Sequence, residues 1–173
     1  KNVGGFYSDI HDVTITSPNI GFEYSGSSPY YSGRHVRSNI IMTNVRLHGD
    51  TFNGTHDVLT TNLYCIGSEL DYPSYAAGSA GIKTTGWVEG CQFTNCTYLL
   101  FERTHNISGS NHCTFVNCYF DSGKYAALLE DSNNLTIDNC WYSNGRGQAG
   151  VSGQGLVVID SNDVAVSGSR MVD

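Results

Sequence analysis

The sequence predicts an all-β chain wound into a parallel β-helix, a solenoid of about seven coils. Three observations lead there. A strand-and-corner pattern recurs in "HCTFVNCYF" (112–120), "NNLTIDNCWY" (133–142) and "NDVAVSGSRM" (162–171): an apolar alternation, an Asn or Gly corner, a small residue, then a second short alternation. Shorter matches with the same kinds of corner precede it: "DVTI" (12–15), "NVRL" (44–47), "NLYC" (62–65) and "GCQF" (90–93). Composition agrees, since Gly at 20, Pro at 3 and only 14% charged residues suit strands and tight turns better than amphipathic helices.

Taken in chain order, the residues that follow the corners are Val13, Val45, Leu63, Cys91, Cys118, Cys140 and Ser169. Asn, Asp and Gly tolerate the left-handed backbone of a sharp bend between strands. Stacked asparagines also bond to one another from coil to coil. The uneven spacing of the corners is what a solenoid absorbs in loops. A sandwich or propeller, the alternative, has no reason to keep one corner type through the chain.

Small thiols suit the cramped space just past a bend, so Cys91, Cys118 and Cys140 are expected in line inside the core. Cys65, Cys96 and Cys113 fall where alternation also points inward. No CxxC pair occurs and no His stands at ligand spacing from a Cys, so six free thiols are expected, with no disulfide and no metal site. That fits folding in a reducing cytoplasm. Sequons at Asn53, Asn95, Asn106 and Asn134 arise readily in an Asn- and Thr-rich repeat and carry little weight.

The 173 residues are expected to be one domain, 1–173. A formal charge of −7, with Lys and Arg scattered, argues against nucleic acid as a partner. No apolar segment is long enough for membrane insertion. The chain opens at Lys1 and stops soon after the seventh corner without a polar cap. The expectation is a piece of a longer polypeptide, cut at both ends.

The repeat apolar-x-apolar-x-Asn-Cys-x-Phe/Tyr, with "SNN" or "SND" ahead of the strand, resembles the pectate-lyase-like superfamily of right-handed parallel β-helices. Within it the chain is most similar to bacteriophage tailspike proteins and their polysaccharide depolymerases. The resemblance spans nearly the whole chain as architecture, but tailspikes share no common active-site motif. The Asn-Thr-Asp, Asp-Asp, His-Gly and Arg-x-Lys set of polygalacturonase-type enzymes is missing as a set. So is the basic, calcium-dependent constellation of pectate lyases. What the resemblance implies is a homotrimeric spike of a phage tail, directed at Gram-negative bacteria, that binds or cleaves a surface glycan (O-antigen or capsule) without a cofactor.

The outward residue after each corner position gives a column: Thr14, Arg46, Tyr64, Gln92, Tyr119, Trp141 and Arg170. Its aromatics, Tyr64, Tyr119 and Trp141, are candidate sugar platforms, because their flat faces match the C–H patches of sugar rings. The competing account is that a long loop such as 66–86, or a neighbouring subunit, covers them. A second outward column, Leu100, Leu128 and Val157, reads as a trimer contact. An inward/outward assignment off by one would reverse that strand.

Beside the apolar stripe stand Glu102 and Glu130, with Asp131 and Asp160 at the following turns. Glycoside hydrolysis uses two carboxyl groups, one as acid and one as base or nucleophile. Glu102 stacked on Glu130 is therefore the first candidate pair, Asp131 and Asp160 the reserves, and Glu89 and Asp138 the runners-up. His105 and His112 are placed on an insertion after Glu102, where His105 would bond substrate hydroxyls. Segments 104–110 and 145–155 are expected to wall the groove. Two functions stay open: an endoglycosidase-type depolymerase, with a lyase less favoured, or a non-catalytic receptor-binding or structural segment of a viral spike or adhesin.

Overall fold

A computed structural model describes residues 2–3, 7–26, 32–68, 76–144 and 155–172. Among them the chain forms strands and no helix, and every strand pairing is parallel. One sheet runs in the order Asn2–Val3, Ile20–Ser25, His48–Asn53, Ala80–Thr84, Arg103–Ser108, Ala127–Glu130 and Leu156–Ile159. The remaining strands make a second, bent sheet. Its early members Ser8–Thr16, Ser32–Val45 and Thr55–Gly67 run through the bend. Later rungs are broken there, as between Gln92–Thr94 and Thr97–Leu99, or Thr114–Val116 and Tyr119–Gly123. The chain alternates between the sheets and returns beside itself, so equivalent residues stack in columns about 4.8 Å apart.

The bend is an asparagine ladder. Asn39 donates its Nδ2 to Asp12 (3.0 Å), Asn62 to Asn39 (3.2 Å), Asn95 to Asn62 (3.3 Å), Asn117 to Asn95 (3.4 Å) and Asn139 to Asn117 (2.6 Å). Gly168 ends the column, and all seven residues have φ between 51° and 57°. Each amide thus does two jobs: it accepts the left-handed backbone and ties one rung to the next.

Every corner read from the sequence has positive φ, but the corners belong to more than one column. Asn44 bonds to Ser17 in a column of its own, at 2.8 Å. Gly90 stacks between Asp57 and His112, because His56 pairs with Glu89 and Glu89 with Asn111. The true ladder members at those rungs are Asn39 and Asn95. The cysteines divide accordingly. Cys96, Cys118 and Cys140 follow ladder asparagines, whereas Cys91 and Cys113 follow the other corner; all six thiols are free and buried.

Thiols at these positions have a backbone role that size alone does not explain. The residue after a corner donates to the carbonyl two residues earlier: Cys113 to Asn111, Cys118 to Val116 and Cys140 to Asp138, each at 3.4 Å. Hydroxyls do the same elsewhere, Ser132 to Glu130 at 2.8 Å and Ser169 to Ser167 at 2.9 Å. Each of these carbonyls also accepts a backbone N–H from the preceding rung, at 2.9 to 3.2 Å, so the thiol or hydroxyl adds a second bond to an oxygen already in the ladder.

Between the sheets, aromatic rings stack in register. Phe93 lies on Phe115 (5.0 Å between centroids) and Tyr98 on Phe120 (5.8 Å), which in turn lies on Tyr142 (4.9 Å). Nearer the N-terminus the core encloses a charged pair. Arg37 donates to both oxygens of Asp50 and, through Nε, to Thr60 at 2.8 Å, while Tyr98 donates to Asp50 at 2.6 Å. Burial raises the Tyr98 phenol well above its usual range, and the Asp50 charge adds to it. In the last rung the inward-facing Val158, Val166 and Met171 are exposed.

Candidate functional site

The outer face just past the asparagine ladder carries the exposed aromatics. Alternation along Thr97–Leu99, Tyr119–Gly123 and Trp141–Asn144 sends Tyr98, Phe120 and Tyr142 inward, and Thr97, Tyr119 and Trp141 outward. The strand register corrects the outward column read from the sequence. Tyr64 pairs with Ile41 on one side and Thr97 on the other, and Thr97 pairs with Tyr119, so the column is Thr14, Ile41, Tyr64, Thr97, Tyr119, Trp141 and Arg170. Arg46 and Gln92 are not in it; Gln92 stands between Leu59 and Thr114 on the other side of the bend.

That correction opens a gap in the aromatic row. Arg170 lies over the Trp141 ring (5.9 Å), and Trp141 stacks on Tyr119 (5.7 Å, 15° between planes). The next position is the small Thr97, and Tyr64 stands beyond it. Two strand spacings separate Tyr64 from Tyr119, about 9.6 Å. Rings in contact on both sides of an inserted ring need roughly 7 to 8 Å. Tyr64 and Tyr119 are 42% and 38% exposed, so neither is sealed off from solvent. The indole Nε1–H of Trp141 is buried without an acceptor.

One carboxylate borders the gap. Asp121 accepts from the Tyr119 hydroxyl (3.3 Å), from the Ser122 backbone N–H (2.6 Å) and from the Ser143 hydroxyl. Burial and the Asp121 charge together hold the Tyr119 phenol above its ordinary pKa. Neither Asp121 nor Thr97 was singled out from the sequence. The Tyr-x-Asp alternation at 119–121 is a signal that would have found Asp121; Thr97 needed the register.

The carboxylates read from the sequence are dispersed. Glu130 pairs with Ser108, not Glu102. Glu102 lies six positions before Ser108, which at 3.3 Å per residue is roughly 20 Å along the strand direction. A retaining pair needs about 5 Å and an inverting pair under about 10 Å, so Glu102 and Glu130 do not form either. Glu102 instead accepts the Gly78 N–H, and its own N–H bonds Ser79 Oγ at 2.9 Å. Asp131 and Asp160 do stack: both are exposed corner residues with φ of 48° and 45°, on rungs that pair Glu130 with Ile159. Of the runners-up, Glu89 faces His112 at 3.5 Å and Asp138 accepts from Ser167 at 2.7 Å.

His105 is a core residue. Arg103–Ser108 is a strand rather than an inserted loop, and its alternation carries the His105 ring inside, stacked near Phe115 and bonded to Leu128 O (3.2 Å) and Tyr142 Oη (3.3 Å). Burial lowers its pKa to about 4. It cannot touch a substrate. The apolar column is corrected too: Leu128 pairs with Asn106 and Val157, while Leu100 is a corner residue with φ of 61° beside Gly67. Most of segment 145–155, and residues 69–75 of loop 66–86, lie outside the described residues.

The rung at the base of the gap and the next one, on the Tyr119 side, lead on to cations. The Thr97 rung leads to Arg103, the Tyr119 rung to Lys124 and Tyr125. Arg103 lies over the Tyr125 ring at 5.3 Å and donates to Ala126 O at 2.5 Å, and Lys124 lies over the same ring at 5.1 Å. Among the described residues, no three or more His, Cys, Asp or Glu side chains converge as a metal site would require. Compared with known proteins, the chain matches no protein-family model and no curated sequence.

Proposed function

We propose that the rungs are consecutive coils of a right-handed parallel β-helix of phage-tailspike type, and that its outer face binds a bacterial surface glycan. The observation that carries this reading is the slot over Thr97. A sugar ring entering between Tyr64 and Tyr119 presents its C–H faces to two aromatic rings and its hydroxyl edge to Asp121 and Ser143. Trp141 and Arg170 extend the stack and hold Tyr119 in place. The geometry supports binding further than it supports cleavage, since the leading carboxylate pair is about 20 Å apart. Hydrolysis stands as a second reading on one observation, the stacked Asp131 and Asp160.

Binding to a panel of capsular and lipopolysaccharide glycans tests the reading. Tyr119→Ala is expected to weaken the best binder by about 1 to 3 kcal/mol, as for a lost aromatic stacking partner. Thr97→Trp, which fills the slot without touching the core, is expected to abolish binding while leaving the unfolding midpoint close to that of the parent. Full affinity in Thr97→Trp would remove the slot from consideration.

A further inference from the structure

We infer that the glycan is acidic, and that Arg103 and Lys124 bind a carboxylate on it at a subsite beyond the slot. This rests on the glycan reading above and adds the class of sugar. Two cations sit against one aromatic ring, at 5.3 and 5.1 Å from the Tyr125 centroid. Neither has a carboxylate within ion-pair distance among the described residues, in a chain with 16 acidic side chains against 9 basic ones. Glu102 is the nearest acid in sequence to Arg103, and its carboxylate is engaged by the Gly78 N–H. Each cation lies within 5.3 Å of the same ring centroid, so an anion at the edge of that ring is attracted by both. The Tyr125 ring keeps both cations at one place on the surface through cation–π contacts.

Placement joins this subsite to the slot. The Thr97 and Tyr119 rungs, which form the base and one wall of the slot, also carry this subsite, and Lys124 follows Tyr119 by five residues, at most roughly 16 Å of chain. Asp121 lies between them and repels an acidic group at the slot itself. A polymer that presents a neutral ring to Tyr119 and a carboxylate further along meets both conditions.

The test uses the 173-residue chain with hyaluronan, alginate and polysialic acid, each beside its carboxyl-reduced form. At least one acidic polymer is expected to bind tenfold or more tightly than its reduced counterpart, with the preference fading as salt is raised. Arg103→Gln combined with Lys124→Gln is expected to erase the preference while residual binding still responds to Tyr119→Ala. Lys124→Gln alone, which alters only a contact with the Tyr125 ring, is expected to reduce it severalfold and keeps the test open should the double variant misfold. Reduced polymers bound as tightly as acidic ones, with Tyr119→Ala weakening both, would overturn the inference and leave glycan binding standing. No binding to any polymer, acidic or neutral, here or in the glycan panel, would overturn both.

Discussion

The Arg37 guanidinium and the Asp50 carboxylate meet through two parallel bonds, at 2.5 and 2.7 Å, with both side chains wholly buried. Removing water from two charges costs several kcal/mol each, and their attraction offsets this only while both partners remain. Asp50→Ala leaves Arg37 charged with Thr60 as its remaining polar partner and deprives Tyr98 of its acceptor. A loss of about 3 to 5 kcal/mol is expected in urea unfolding. The double variant Arg37→Met with Asp50→Leu is expected to be more stable than Asp50→Ala alone. A double variant whose cost equals the sum of Arg37→Met and Asp50→Leu measured singly would show that the pair is not coupled.

This pair also marks the limit of what the sequence made legible. Alternation and the Asn, Asp or Gly corners identified a parallel, all-β chain, and each corner read from the sequence does adopt positive φ. What failed was the column to which a corner belongs. Each rung has several bends that accept the same residue types, so Asn44 and Gly90 were taken for members of the Asn39 and Asn95 column. Once two rungs were misplaced, Arg46 and Gln92 replaced Ile41 and Thr97 on the outer face, and the slot vanished. His105 was placed on an outer insertion rather than in the core because its strand contains polar residues on both faces. Arg37 and Asp50 were missed because charge at an inward position is visible only when both partners are known.

His105 makes stability depend on pH. Its folded pKa is about 4, against 6.5 when unfolded, so between these values the unfolded chain binds the extra proton. Its contribution is fully present above pH 6.5 and is lost as pH falls towards 4, with a total near 3 kcal/mol. Burial also lowers His35 and His48, which adds in the same direction. Unfolding at pH 7 and pH 4.5 is expected to differ by more in the parent than in His105→Gln. An unchanged pH dependence in the variant would place the proton uptake elsewhere.

The asparagine ladder predicts an ordering of substitutions. Asn117 donates to Asn95 at 3.4 Å and accepts from Asn139 at 2.6 Å, with φ at 53°. Asn117→Gly loses both bonds but keeps easy access to the left-handed backbone. Asn117→Ala loses the bonds and adds the cost of a Cβ there, roughly 1 to 2 kcal/mol. Ala is therefore expected to be the less stable of the two, the reverse of their order in a helix. Equal stabilities would mean that the bend relaxes when its amide is removed.

Assembly is tested at Leu128, which pairs with Val157 on the outer face of the seven-stranded sheet. We expect the chain to sediment as a trimer and Leu128→Asp to sediment as a monomer with its β content intact. A trimer that survives the substitution would exclude this stripe as the contact.

Asp131 and Asp160 allow a clean test of hydrolysis. Both are corner residues with left-handed backbone, the conformation that Asn also adopts throughout this chain. Asp→Asn there preserves shape and backbone preference while removing the ionisable group. Stacked like charges repel, so either variant is expected to match or slightly exceed the parent in stability, most visibly at low salt. Fold and chemistry thereby separate. If the chain releases reducing ends from a glycan, Asp131→Asn or Asp160→Asn is expected to lower turnover by orders of magnitude with binding retained. Glu102→Gln is expected to leave turnover intact, because its carboxylate is occupied by the Gly78 N–H and lies too far from Glu130 to act with it. Full turnover in both aspartate variants would place cleavage away from this corner, and the Thr97 slot would then serve binding alone.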